Sequence, residues 1–155
     1  MSCRTLLKDR SGVGAMELGI ALPFLLLVGL GMLDASRMIA AKIDYEQIAQ
    51  RTTDLALARR PNGTDTAYLK AEATSDDAID DEDVTITIFL ECDGERKTDF
   101  DAGCDASETA ARYVDVEIAK NLDTKFDWGG LARVIGFSAF DSTVTVRGDS
   151  LVRFQ

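Results

Sequence analysis

Few side chains in this 155-residue chain have the type and spacing for chemistry, and the first of them lies in an unexpected place. In "RSGVGAMELGIALPFLLLVGLGMLD" a lone carboxylate, Glu17, interrupts an apolar run five positions after Gly12. Three cysteines follow a divided pattern, with Cys3 in a basic leader and Cys92 and Cys104 far downstream. Six acids, Asp76, Asp77, Asp80, Asp81, Glu82 and Asp83, crowd one short stretch. There is no histidine. That removes Ser-His-Asp and Cys-His catalysis, histidine zinc sites and the commonest general base. The acidic run lacks the D-x-D-x-D-G spacing of a calcium loop, so it reads as a solvated turn before a strand. "GGLARVIG" has no lysine and no strand-turn-helix frame for a phosphate loop, and "NGT" at Asn62 reads as a turn. No pair of carboxylates stands out as general acid and base. The expectation is a protein that is not an enzyme and that uses neither metal nor cofactor.

The elements around Glu17 set its context. From Leu18 to Leu33 no residue is charged, and Val13–Met16 extends the run to about the 20 residues that cross a ~30 Å bilayer core. Arg4, Lys8 and Arg10 precede it and Asp34 follows, which places the leader in the cytoplasm and the remaining chain outside. A cleaved secretory signal would need a shorter apolar region and a small-x-small site beyond it, and none is well placed. A carboxylate in a spanning helix is costly: insertion scales give about +2.5 to +3.5 kcal/mol for an aspartate at mid-helix. Such a residue is read as functional, and the question becomes what neutralises it. The formal net charge of −10 argues against nucleic acid as a partner, because phosphate binding requires a basic face.

These residues resemble a prepilin leader: a short basic segment, then Gly12, then the apolar helix with Glu17 as its fifth residue. The resemblance implies cleavage between Gly12 and Val13 by prepilin peptidase. The new α-amine of Val13, with a reference pKa near ~8, would then pair with Glu17 of a neighbouring subunit and set the stagger between them. "MELGIALPFLLLVGLGMLDASRMI" is similar to the start of TadE-like proteins, pseudopilins of the tight-adherence (Flp, type IVc) pilus. The matching features are Glu17, Pro23, the run Phe24 to Leu30, Gly31-Met32-Leu33-Asp34 and Arg37. Flp-type pilins favour tyrosine after the glutamate, whereas Leu18 stands here. This departure, like the length of the chain, suggests an accessory pseudopilin. Pro23 is expected to kink the helix.

Beyond Leu33 the pattern turns amphipathic, with Met38, Ile39, Ile43, Ile48, Thr52, Leu55 and Ala56 recurring at three- and four-residue steps as far as "RRPNG". A single helix from Val13 to about Arg59 is expected, although a break near Asp34 is open. A short second helix, capped by Thr64 or Asp65, precedes three alternating strands: one in which Val84, Ile86 and Ile88 alternate with Thr85, Thr87 and Phe89, one with Val114, Val116 and Ile118 inward, and "DSTVTVRGDSLVRF" with Gly148 as a bulge or bend. Cys92 and Cys104 bracket a polar loop and read as one disulfide in an oxidising compartment, worth ~3 kcal/mol in the chain-entropy model; two unpaired thiols are the alternative. "NLDTKFDWGGLARVIGFSAF" gathers Phe126, Trp128, Leu131, Val134, Ile135, Phe137 and Phe140, either to complete a small core or as an apolar patch for a partner or lipid.

The fold class expected is α+β, pilin-like: a long N-terminal helix, half transmembrane and half amphipathic, packed on a small antiparallel sheet. Residues 1–12 form the leader, 13–33 the transmembrane half and 34–155 a periplasmic globular domain. The implied protein is a minor pseudopilin of the bacterial inner membrane that helps initiate or cap a tight-adherence pilus. Its implied partners are prepilin peptidase, other pseudopilins, the major Flp pilin and the inner-membrane assembly platform. The alternative is an uncleaved single-span protein with an extracytoplasmic binding domain. Without residues 1–12 the chain has 14 basic and 26 acidic residues, a net −12 that suits solubility outside the cell.

Overall fold

The computed structural model describes residues 13–97, 100–101, 103–134, 136–137 and 142–155. Cys3, Gly12, Ile135 and Phe140 lie outside the described residues. One helix dominates. α1 runs unbroken from Val13 to Ala58, 46 residues, or about 69 Å at 1.5 Å per residue. It passes through Pro23 and through Asp34, so the membrane-type half and the amphipathic half are one element. It ends just before Arg59, Arg60 and Pro61, as the sequence predicts.

The chain then forms α2 (Ala67–Ala73), a 3₁₀ turn (Asp81–Asp83), β1 (Val84–Cys92), β2 (Glu95–Lys97), β3 (Ala110–Asp123), α3 (Trp128–Val134) and β4 (Thr143–Arg153). The four strands make an antiparallel sheet in the order β2-β1-β3-β4. This is the α+β architecture expected, with differences in detail. α2 begins at Ala67, and its first amide is bonded by the Asp65 carboxylate at 3.0 Å. β2 arises within the segment read as a polar loop. Its hairpin turn is Asp93-Gly94, with φ of 50° and 85°, the left-handed pair that a two-residue turn between twisted strands requires.

The core is the inner face of the sheet against the second half of α1. Val114, Val116 and Ile118 of β3 are fully buried, as their alternation predicts. On α1 the inward stripe is Tyr45, Ile48, Ala49, Thr52 and Ala56, with Met38 and Ala41 packed at its lower end. Ile39 and Ile43, expected on this stripe, are exposed instead. Small residues replace them at the seam because the sheet comes very close. A Cβ on Gly148 would lie 2.5 Å from both the Glu46 amide nitrogen and the Tyr45 carbonyl carbon. Gly148 is thus no bulge: it pairs in register with Ile118, and its missing side chain lets α1 cross β4. Beside the crossing the hydroxyls of Thr53 and Ser150 share a 2.9 Å hydrogen bond.

Phe89, which alternates with the inward Ile88 and so lies on the face of the sheet away from α1, is buried there by local partners. It stacks on Tyr113 at 5.3 Å and lies under the Arg96 guanidinium at 3.8 Å. Cys92 and Cys104 are joined in a disulfide with Cα atoms 5.6 Å apart, tying the loop after β2 to the end of β1. Glu108 lies beside the two sulfurs, but these are bonded to each other and offer no thiolate to a metal.

Candidate functional site

Among the described residues the first half of α1 is a largely uncovered apolar rod, touched only near its end, where Trp128 meets Gly31. Met16, Leu18, Ile20, Phe24, Leu25, Leu26, Val28, Met32 and Leu33 are all exposed, and the helix is long and apolar enough to cross a membrane. Leucines and isoleucines at this density would make a soluble helix fold onto something, and here the sheet packs only further along. Glu17 is exposed on the rod, and no hydrogen bond or ion pair engages it among the described residues. Val13 opens the helix; its proposed partner in cleavage, Gly12, lies outside the described residues.

Where the rod meets the head, Asp34 is clamped. Its carboxylate is buried at 5% exposure and takes three N–H donors from the segment joining β3 to β4. The Lys125 amide donates to Oδ1 at 2.8 Å, while the Phe126 amide and the Trp128 indole Nε1 donate to Oδ2 at 3.3 and 2.9 Å. Arg37, one turn along, adds its charge at 3.9 Å. The Lys125 amide, then the Trp128 indole, hold the Asp34 carboxyl below the ordinary carboxylate range against the opposing effect of burial. The Trp128 ring lies 3.6 Å from where a Cβ on Gly31 would stand, and Phe126 packs edge-on to it at 4.7 Å. The glycine one turn before Asp34 gives the indole its seat.

The sequence places Gly31, Asp34 and Arg37 in one motif but does not show what they hold. The signal was available: a single aspartate ending an apolar span, and a single tryptophan in the chain. Of the aromatic excursion, Phe126 and Trp128 are consumed by this joint and Ala132 is buried, while Val134 and Phe137 remain exposed. The excursion therefore divides between the two readings.

The acidic stretch has its own cation. Lys120 Nζ donates to the Ala78 carbonyl at 2.8 Å, to Asp80 at 2.9 Å and to Asp83 at 2.8 Å, which uses all three ammonium hydrogens. Asp83 and then Asp80 raise the Lys120 pKa above its ordinary value. Burial pushes Asp83 upward, but the Lys120 and Asp80 hydrogen bonds outweigh it and leave that carboxyl lowered. Two of the six acids thus serve as a staple between the 3₁₀ turn and β3.

The family model described as TadE-like protein matches residues 12–53. That segment holds Glu17, Pro23, Gly31, Asp34 and Arg37, which are the rod and the α1 side of the joint. No curated protein and no solved structure matches the chain.

Proposed function

We propose that this chain, TadE-like from residue 12 to residue 53, is a minor pseudopilin that helps initiate or cap a tight-adherence pilus. The observation that carries the proposal is the uncovered apolar rod bearing Glu17. A carboxylate with no partner among the described residues needs one elsewhere, and the α-amine freed by cleavage before Val13 on an adjacent subunit would supply it. In this reading residues 1–12 are removed by prepilin peptidase, residues 13–33 span the inner membrane and the head lies in the periplasm. Phe24 to Leu30 pack on neighbouring helices, aided by the bend that Pro23 favours. Exposed Ile39 and Ile43 continue the apolar surface beyond the joint. The other pseudopilins, the major Flp pilin and the assembly platform are its partners.

Two measurements test this. N-terminal sequencing of the membrane form should give Val13; an intact Met1 would instead support an uncleaved single-span protein with an external binding domain. Glu17→Ala should leave cleavage intact while abolishing recovery with sheared pili. Full incorporation of that variant removes the register role.

A further inference from the structure

We propose that the described part of the β3–β4 connection, Lys125 to Val134 together with Gly136 and Phe137, is a second membrane contact that lies in the headgroup–acyl boundary beside the span. The proposal rests on the reading of α1 as membrane-spanning.

β3 runs toward the apolar rod and ends at Asp123, and β4 returns from Thr143, so the connection occupies the end of the head nearest the span. Asp34 fixes its height. This residue follows the last apolar position of the rod, and its three hydrogen bonds hold Lys125, Phe126 and Trp128 at that level. A tryptophan at the end of an apolar span matches the interfacial position that indole rings favour.

The outward surface of the connection has the matching chemistry. α3 buries Ala132 and turns Val134 outward at 84% exposure. Its end is closed by Gly136, with φ of 88°, whose amide bonds the Arg133 carbonyl while the Phe137 amide bonds that of Ala132. Phe137 beyond this cap is 62% exposed. These two bare apolar side chains belong to the connection whose Trp128 touches the rod at Gly31. Lys125, Arg133 and Arg37 are also exposed here, and they balance the carboxylates of Asp34, Asp123 and Asp127, so this end is close to neutral on a protein of net charge −10. An acidic head would be repelled by anionic lipid, and a neutral end removes that repulsion where the head faces the bilayer.

The test uses the full chain with Cys3→Ser and the native disulfide closed, reconstituted in vesicles of three parts phosphatidylcholine to one part phosphatidylglycerol. Nitroxide labels are placed singly through Val134→Cys, Phe137→Cys, Leu26→Cys and Glu82→Cys. Collision with oxygen reports lipid and collision with a neutral nickel chelate reports water. At positions 134 and 137 nickel accessibility should be at least ~3-fold below that at 82, with oxygen accessibility approaching that at 26. Nickel accessibility equal to position 82 overturns the proposal, as does low accessibility to both reagents, which means cover by protein. Should position 26 itself be open to nickel, the spanning reading fails and takes this inference with it. A lipid-embedded position 26 with water-exposed 134 and 137 removes this inference alone.

Discussion

Replacing Gly148 with alanine puts a methyl carbon 2.5 Å from the Glu46 amide nitrogen and the Tyr45 carbonyl carbon, and 2.7 Å from the Tyr45 Cβ. All three belong to the body of α1, so no side-chain rotation relieves the overlap. Ordinary contact begins near ~3.5 Å, and the helix must therefore retreat from β4 by about 1 Å. A gap of that size forfeits a quarter to a half of the dispersion energy of each contact along the seam, and overpacking of this kind costs ~1–3 kcal/mol. Removing a glycine from a strand returns ~0.5–1 kcal/mol of chain entropy. The net expectation is a loss of about 1 kcal/mol, or roughly 2–4 °C in Tm for a chain of this size. Valine should cost more. Thermal unfolding of the full chain in detergent, followed by near-UV circular dichroism, reads the contact because Tyr45 lies at it. Gly103→Ala, where an added Cβ meets nothing within 4 Å, is the control and should stay within about 0.5 kcal/mol. A Gly148→Ala protein that melts with its parent would refute the close-approach account of this seam.

Three further outcomes are expected. Asp34→Asn leaves the Trp128 indole and the Lys125 and Phe126 amides facing an uncharged group; amide exchange at 125 and 126 should quicken by ~10-fold or more, with a red shift of the sole tryptophan's emission. Unchanged exchange would mean the clamp does not hold the joint. Lys120→Met strips Asp83 of its partner and should destabilise the chain by about 2 kcal/mol in urea titration, whereas an unaltered midpoint would reduce the staple to a surface ornament. Asp34 and Asp83 both titrate lower in the fold than in the unfolded chain, so their contribution is complete above the ordinary value of 3.8 and is lost as pH falls below it. Stability should therefore drop steeply below pH ~4, and the Asp34→Asn and Lys120→Met variants should each flatten that drop.

The legible parts of this protein were those governed by local pattern. The uncharged stretch from Leu18 to Leu33, the continuation of the helix to the residues before Arg59, and the alternation that buries Val114, Val116 and Ile118 follow from composition and period. The parts that were not legible depend on approaches between distant segments. Gly148 reads as a bulge until α1 is seen crossing it. Ile39 and Ile43 fit a helical stripe as well as Ala49 does, and only the tight seam selects the small residue. Phe89 is buried by Arg96 and Tyr113 from neighbouring strands, which its own strand could not reveal. β2 was the exception, since the Asp93-Gly94 pair was a hairpin signal within the sequence itself. At the candidate site Glu17 and Asp34 were conspicuous by charge, but the purpose of Asp34 lay 91 residues downstream.

The head grips its rod at two heights, at Asp34 and again where β4 crosses Tyr45 and Glu46, about 17 Å further up at 1.5 Å per residue. A single attachment would act as a swivel; a pair spaced along one axis prevents both pivoting and rolling. Any molecule that docks on the head consequently finds it at one fixed azimuth about the helix, so a twist applied there is passed to the apolar end of the shaft.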